Sequence, residues 1–232
     1  LDRRFGYVEG DFNWSGVLNL GLDVRGQRLF LDFYDRPDAT AKALGQIAEI
    51  IAAFAAEVKG RTGTTSTSVN ASIAHFDPTL SLHSNCSVQM ISPDLYEEHL
   101  FWYDRFLAER LPPYGIHHCG SNMHELARSY AKVPNAVFFD VGWGSDLAAC
   151  REALPDAFLN IRLSPGKLAE CTQEEAVADA ARLVAAAGPI DKVGLCCINM
   201  DRRVPDANIE ALIDFAADPE PVAACYGNHR PI

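Results

Sequence analysis

The chain has 232 residues, of which 48% are hydrophobic and 22% charged, and it carries a formal net charge of −11. That is enough chain for one large core, although two small domains remain possible, and the acidic balance, with no cluster of Lys and Arg, argues against a nucleic-acid backbone as partner. No apolar run approaches the roughly 18 residues needed to span a bilayer and no signal sequence opens the chain, so a cytoplasmic protein without a membrane partner is expected.

The seven cysteines are odd in number and show no C-x-x-C spacing. They read as reduced thiols, two or three of which could bind metal, rather than as a disulfide framework. The chain starts Leu-Asp-Arg-Arg without Met, and residues 1–232 are expected to form one domain that is the later part of a longer polypeptide.

In chain order, Phe5 to Phe12 (FGYVEGDF) has the composition of a strand running into a polar loop. After Asp35 and Pro37, the residues Leu44, Ile47, Ile51, Phe54 and Val58 recur every three or four positions and predict an amphipathic helix ended by Gly60. The Gly/Ser/Thr-rich stretch from Gly60 to Ser68 reads as a loop into a strand at Val69 to Ala74. Ser92-Pro93 starts an aromatic-rich helix that is expected to continue to about Leu111.

The pattern then repeats. Strands are expected at Tyr114 to His118, Ala136 to Asp140, Ala157 to Ile161 and Lys192 to Cys197. Helices are expected to open at Asn122 with Glu125, near Ser145, at Thr172 with Glu175, and around Pro205. The Thr172 helix would carry Val177, Ala180, Leu183, Val184 and Ala187 and stop at Gly188-Pro189, and the last helix would turn Ile209, Leu212 and Ile213 inward. Short, continuously apolar strands alternating with helices are the mark of a parallel sheet covered by helices, here about six βα units. The pattern alone leaves open whether the sheet is a barrel or doubly wound, although no GxGxxG turn supports a dinucleotide fold.

In both arrangements the ligand site lies at the carboxyl ends of the strands, where Glu9, Asn70, Cys119, Asp140, Asn160 and Cys197 fall. The run Tyr114 to Gly120 (YGIHHCG) is the most informative. Side chains alternate along a strand, so His117 and Cys119 share a face and His118 takes the other. Two soft ligands on one face could share a zinc ion, which needs at least a third, and Cys196-Cys197 closes a later apolar run. A core histidine beside a buried thiol is the other reading of the same residues.

Five segments, ISPDLYEEHLFWYDRFL, IHHCGSN, VFFDVGWGSDLAACREAL, AFLNIRLSP and VPDANIEALIDF, resemble in their order the uroporphyrinogen decarboxylase superfamily. That superfamily includes zinc-dependent methyltransferases that exchange methyl groups with corrinoid cofactors. The resemblance runs from about Phe5 to about Ala217 and is strongest from Ile91 to Cys119 and from Val204 to Ile213. It implies an α/β (β/α)8 TIM-type barrel of uroporphyrinogen decarboxylase type, of which this chain would lack the first two strands.

The methyltransferase branch holds zinc through an H-x-C pair and a cysteine roughly seventy to eighty residues later, on a separate strand. The resemblance therefore implies His117, Cys119 and Cys197 as metal ligands, with Cys197 favoured over Cys196 because it lies nearer the strand end. The branch usually has one cysteine followed by glycine, where this chain has Cys196-Cys197-Ile198-Asn199. The implied cofactors are Zn2+ and a corrinoid (cobalamin) carried by a partner protein, and the implied substrate is a thiol or methoxy compound.

Glu9, His83, Asn85, Asp140 and Asn160 are further candidates for substrate binding. Asp140 could instead hold the free nitrogen of His117, or cap a loop before Gly142. Cys86, Cys150, Cys171 and Cys225 read as ordinary thiols, and His75, His99, His124 and His229 as surface or core residues. Two competing functions remain: a metal-free decarboxylase, for which Arg162, Arg202 and Arg203 are the available carboxylate anchors, and a non-catalytic subunit that binds a corrinoid protein.

Overall fold

The computed structural model of the chain describes residues 15–62, 73 and 76–218. Several expected features lie outside these residues: the strand at Phe5 to Phe12, the strand at Val69 to Ala74 apart from Ile73, and Glu9, Asn70, His75, Cys225 and His229. The described residues fall into two compact units, the first within Leu1–His118 and Arg128–Phe138, the second within Cys119–Ala127 and Phe139–Ile232.

Three helices open the described part of the first unit: α1 (Val17–Arg25), α2 (Leu29–Asp35) and α3 (Pro37–Thr62). The first two occupy a stretch in which the sequence suggested no element. Gly26, at φ 70°, ends α1 and donates its amide to the Leu22 carbonyl, a backbone position that glycine takes without strain. Helix α3 runs two residues past the expected stop at Gly60, because a single glycine costs a helix interior only about 1 kcal/mol.

Leu44, Ala48, Ile51, Ala55 and Val58 form the buried stripe of α3, while Phe54 is 46% exposed. The stripe packs on α1, α2 and a later helix, α5 (Phe101–Arg110). Each large apolar side chain in it contributes about 1.5–3 kcal/mol. By length and composition the segment Pro37–Arg61 is long and apolar enough to cross a membrane, contrary to the expectation from the sequence. About a third of that segment is buried, along the stripe that packs on α1, α2 and α5, while Ile50 and Phe54 on the other side are exposed.

Strand β1 (Ser81–Ser84) falls in a segment that reads as a long loop, since four residues are too few for a visible period. A 3-10 turn at Cys86–Met90 follows it. The helix expected from Ser92 to Leu111 is two, α4 (Pro93–His99) and α5, separated at Leu100 (φ −120°, ψ −30°). Leu100 is only 4% exposed, so burial of its side chain, with neither glycine nor proline to mark the position, accompanies the break. Ser92 caps α4 as expected, accepting from the Leu95 amide at 3.2 Å.

The remaining elements are β2 (Tyr114–His118), α6 (Met123–Tyr130), β3 (Ala136–Val141), α7 (Leu147–Ala153), β4 (Phe158–Arg162), α8 (Pro165–Glu170), α9 (Gln173–Ala187), β5 (Val193–Cys196) and α10 (Asp206–Ala217). Thr172 and Glu175 form a reciprocal capping box at the start of α9. In the second unit Ala176, Ala180, Ala181 and Val184 of α9 pack with Leu163, Leu168, Leu212 and Phe215. Ile213, expected inward, is 62% exposed, because one helical face cannot bury both 212 and 213.

The strands follow one another in the sheet in chain order, β1-β2-β3-β4-β5, and the pairs β1–β2 and β4–β5 are parallel. A doubly wound sheet reverses its order at a switch point. The described strands do not, which is the winding of a partial TIM-like barrel.

Candidate metal centre

Three ligand atoms converge at the carboxyl end of β2. Cys86, His117 and Cys119 each offer one, and all lie within 4.8 Å of one another. The dividing line of the two units passes between the consecutive residues His118 and Cys119. Cys86 and His117 belong to the first unit, and Cys119 is the residue that directly follows the strand carrying His117.

That turn is fixed by β1. Ser84 sits in register with His117, and the Asn85 amide donates to the His117 carbonyl at 2.8 Å. Cys86 opens the turn, its Sγ 3.2 Å from the Ser84 hydroxyl. From sequence Cys86 reads as an ordinary thiol, because the strand that precedes it, Ser81–Ser84, is too short to show a period and only its register with β2 sets Cys86 near His117.

His117 is 2% exposed, and Cys86 and Cys119 are half-buried. His118 is fully buried, with Nδ1 2.9 Å from the Tyr130 hydroxyl of α6. An imidazole and two thiols from adjacent strands suit zinc, whose coordination carries no geometric demand from its filled d shell. Cys197 is exposed and is not a member of the group.

Cys196 is buried. Burial pushes its thiol up to about 12 and the nearby charge of Asp140 adds to this, while Arg162 and a hydrogen bond with Asn160 oppose it. Asp140 is fully buried and accepts from the Asn160 amide at 2.6 Å. Asp140, Asn160 and Cys196 therefore form one polar group in the second unit, and it is Cys196 rather than Cys197 that joins it.

His83 and Asn85 belong to a different group in the first unit, centred on the buried carboxylate of Asp104. Asp104 accepts from Asn85 at 2.7 Å, from the Tyr96 hydroxyl at 2.6 Å and from the Tyr114 hydroxyl at 2.9 Å. His83 Nε2 lies 3.8 Å from the same carboxylate and 3.5 Å from the Val17 amide, which donates to it. Burial lowers the pKa of His83 against the pull of Asp104, in keeping with a neutral ring that accepts through Nε2. Both residues, at 3% and 4% exposure, brace the turn that carries Cys86.

No protein-family model and no curated protein matches the chain. Among solved structures, one described as a methyltransferase from Methanosarcina mazei is similar to it with a TM-score of 0.69 at 16% sequence identity, over 94% of this chain and 61% of that one. The chain thus spans about three-fifths of that neighbour's length, and at this identity the likeness is one of fold.

Proposed function

We propose that the chain is part of a zinc-dependent methyltransferase of the cytoplasm, which moves a methyl group between a small thiol or methoxy compound and a corrinoid carried by a partner protein. The observation that supports this most is the convergence of Cys86, His117 and Cys119 at a strand end in a chain whose fold is similar to that of a methyltransferase. A bound zinc ion would supply a Lewis acid there, holding a substrate thiol as thiolate or polarising a methoxy oxygen.

His117 and Cys119 contribute two ligands from one strand, and the choice of the third lies among Cys86, Cys197 and Cys196. Cys86 is favoured because its Sγ already lies within reach of the other two ligand atoms. The buried Asn85–Asp104 bond holds the turn in place so that the ligands need little rearrangement. Asp140, pinned by Asn160, offers a carboxylate for the substrate or for an imidazole.

Metal analysis of the purified chain, followed by competition with a chromophoric chelator, tests the reading. About one zinc per chain is expected. His117→Ala and Cys119→Ser should weaken binding at least about a hundredfold, and of Cys86→Ser, Cys196→Ser and Cys197→Ser only the first should match them. Zinc well below one per chain, with activity indifferent to chelator, would count against this reading and leave the metal-free decarboxylase standing instead.

A further inference from the structure

Arg162, the last residue of β4, is 3% exposed. Among the described residues, nothing hydrogen-bonds its buried Nε or Nη1. Leaving a guanidinium buried with donors unmet is costly, and such groups are ordinarily paired. Arg162 lines a cleft of about 310 Å³ in the second unit with Trp143, Ser164, Lys167, Asp179 and Arg182, a volume in the range of small-ligand sites.

The charge in this cleft opposes that of the chain. Three cations line it against the single carboxylate of Asp179, whose Oδ1 is engaged by Lys167 at 2.8 Å and by Arg182 at 2.7 Å. A surplus of two positive charges remains, in a protein whose net charge is −11. Trp143 lies with its ring centroid 5.2 Å from the Arg162 guanidinium carbon and is itself 39% exposed. The indole ring lies against the planar fork and helps to hold it in place.

We propose that this cleft binds an oxyanion, the carboxylate or phosphate of a small ligand, through the unmet donors of Arg162. A planar guanidinium matches either group, and the proposal requires neither the metal nor a corrinoid.

The test titrates the whole chain, at low ionic strength, with inorganic phosphate and separately with acetate. The Arg162 Nε–H resonance is followed by nitrogen-correlated NMR and identified by its loss in Arg162→Lys, with chloride at matched ionic strength as baseline. A saturable shift with one anion beyond that of chloride is expected: with phosphate it assigns a phosphorylated ligand, with acetate a carboxylate. Calorimetry on Arg162→Gln should give an affinity at least tenfold weaker. No saturable response in the wild-type chain, or equal affinity in Arg162→Gln, would overturn the proposal, and the wild-type titration decides it even if that variant does not fold. Because only anion binding is read, failure here leaves the zinc result untouched, and the converse holds.

Discussion

The backbone amide of Asn85 donates to the carbonyl of His117 at 2.8 Å, and this one bond carries the β1–β2 ladder a residue beyond the end of β1. It sets Cys86, the next residue, against an imidazole that is 31 positions away in sequence. Neither short strand shows the arrangement by itself; the parallel register of the pair creates it.

Thiol chemistry reports how the cysteines are placed. Burial pushes Cys150 and Cys196 up to about 12; burial raises Cys197 as well, yet its side chain is exposed where those of Cys150 and Cys196 are buried. Since only the thiolate attacks an alkylating agent, iodoacetamide at pH 8 should label Cys197 in the native chain well before Cys150 or Cys196, as read by peptide mass mapping. Cys196 modified as fast as Cys197 would contradict the buried group with Asp140 and Asn160.

The Asp104 group makes stability fall in alkali. Burial raises the hydroxyls of Tyr96 and Tyr114 well above their ordinary value, and the Asp104 charge adds to this. Above about pH 10 the unfolded chain loses these protons while the folded chain keeps them, so stability present below about pH 10 is lost as pH rises. The slope is up to about 2.7 kcal/mol per pH unit for two groups. Urea unfolding from about pH 9 to about pH 11 measures it, and Tyr114→Phe should remove about half of the slope; an unchanged slope in that variant would refute the assignment.

Gly142 sits where no side chain fits. A Cβ there would lie 2.2 Å from the Gly120 carbonyl oxygen and 2.5 Å from that of Cys119, and backbone cannot move aside as a flexible side chain can. Gly142→Ala should cost about 1–3 kcal/mol and weaken zinc binding by displacing Cys119. Urea midpoints and chelator competition would check both effects, and a variant with wild-type stability and zinc affinity would contradict this packing.

Local signals were legible wherever the physics is local. Ser92 and Thr172 announced their helices because a side-chain oxygen caps an amide three residues on. The stripe of α3 and the apolar runs of β2, β3 and β4 announced themselves by periodicity and composition. Helices α1 and α2, strand β1 and the break at Leu100 were not legible. They are short, and neighbours distant in the chain decide them.

The sequence by itself determined an alternating α/β chain and the pairing of His117 with Cys119 on one strand face, because strand alternation and helix capping act within a few residues. Only the tertiary structure decided that Cys86 joins them, that Cys196 rather than Cys197 is buried beside Asp140 and Asn160, and that two donors of Arg162 go unmet among the described residues. Those facts depend on the register between strands and on what burial encloses, and neither is written in the spacing of residues along one strand.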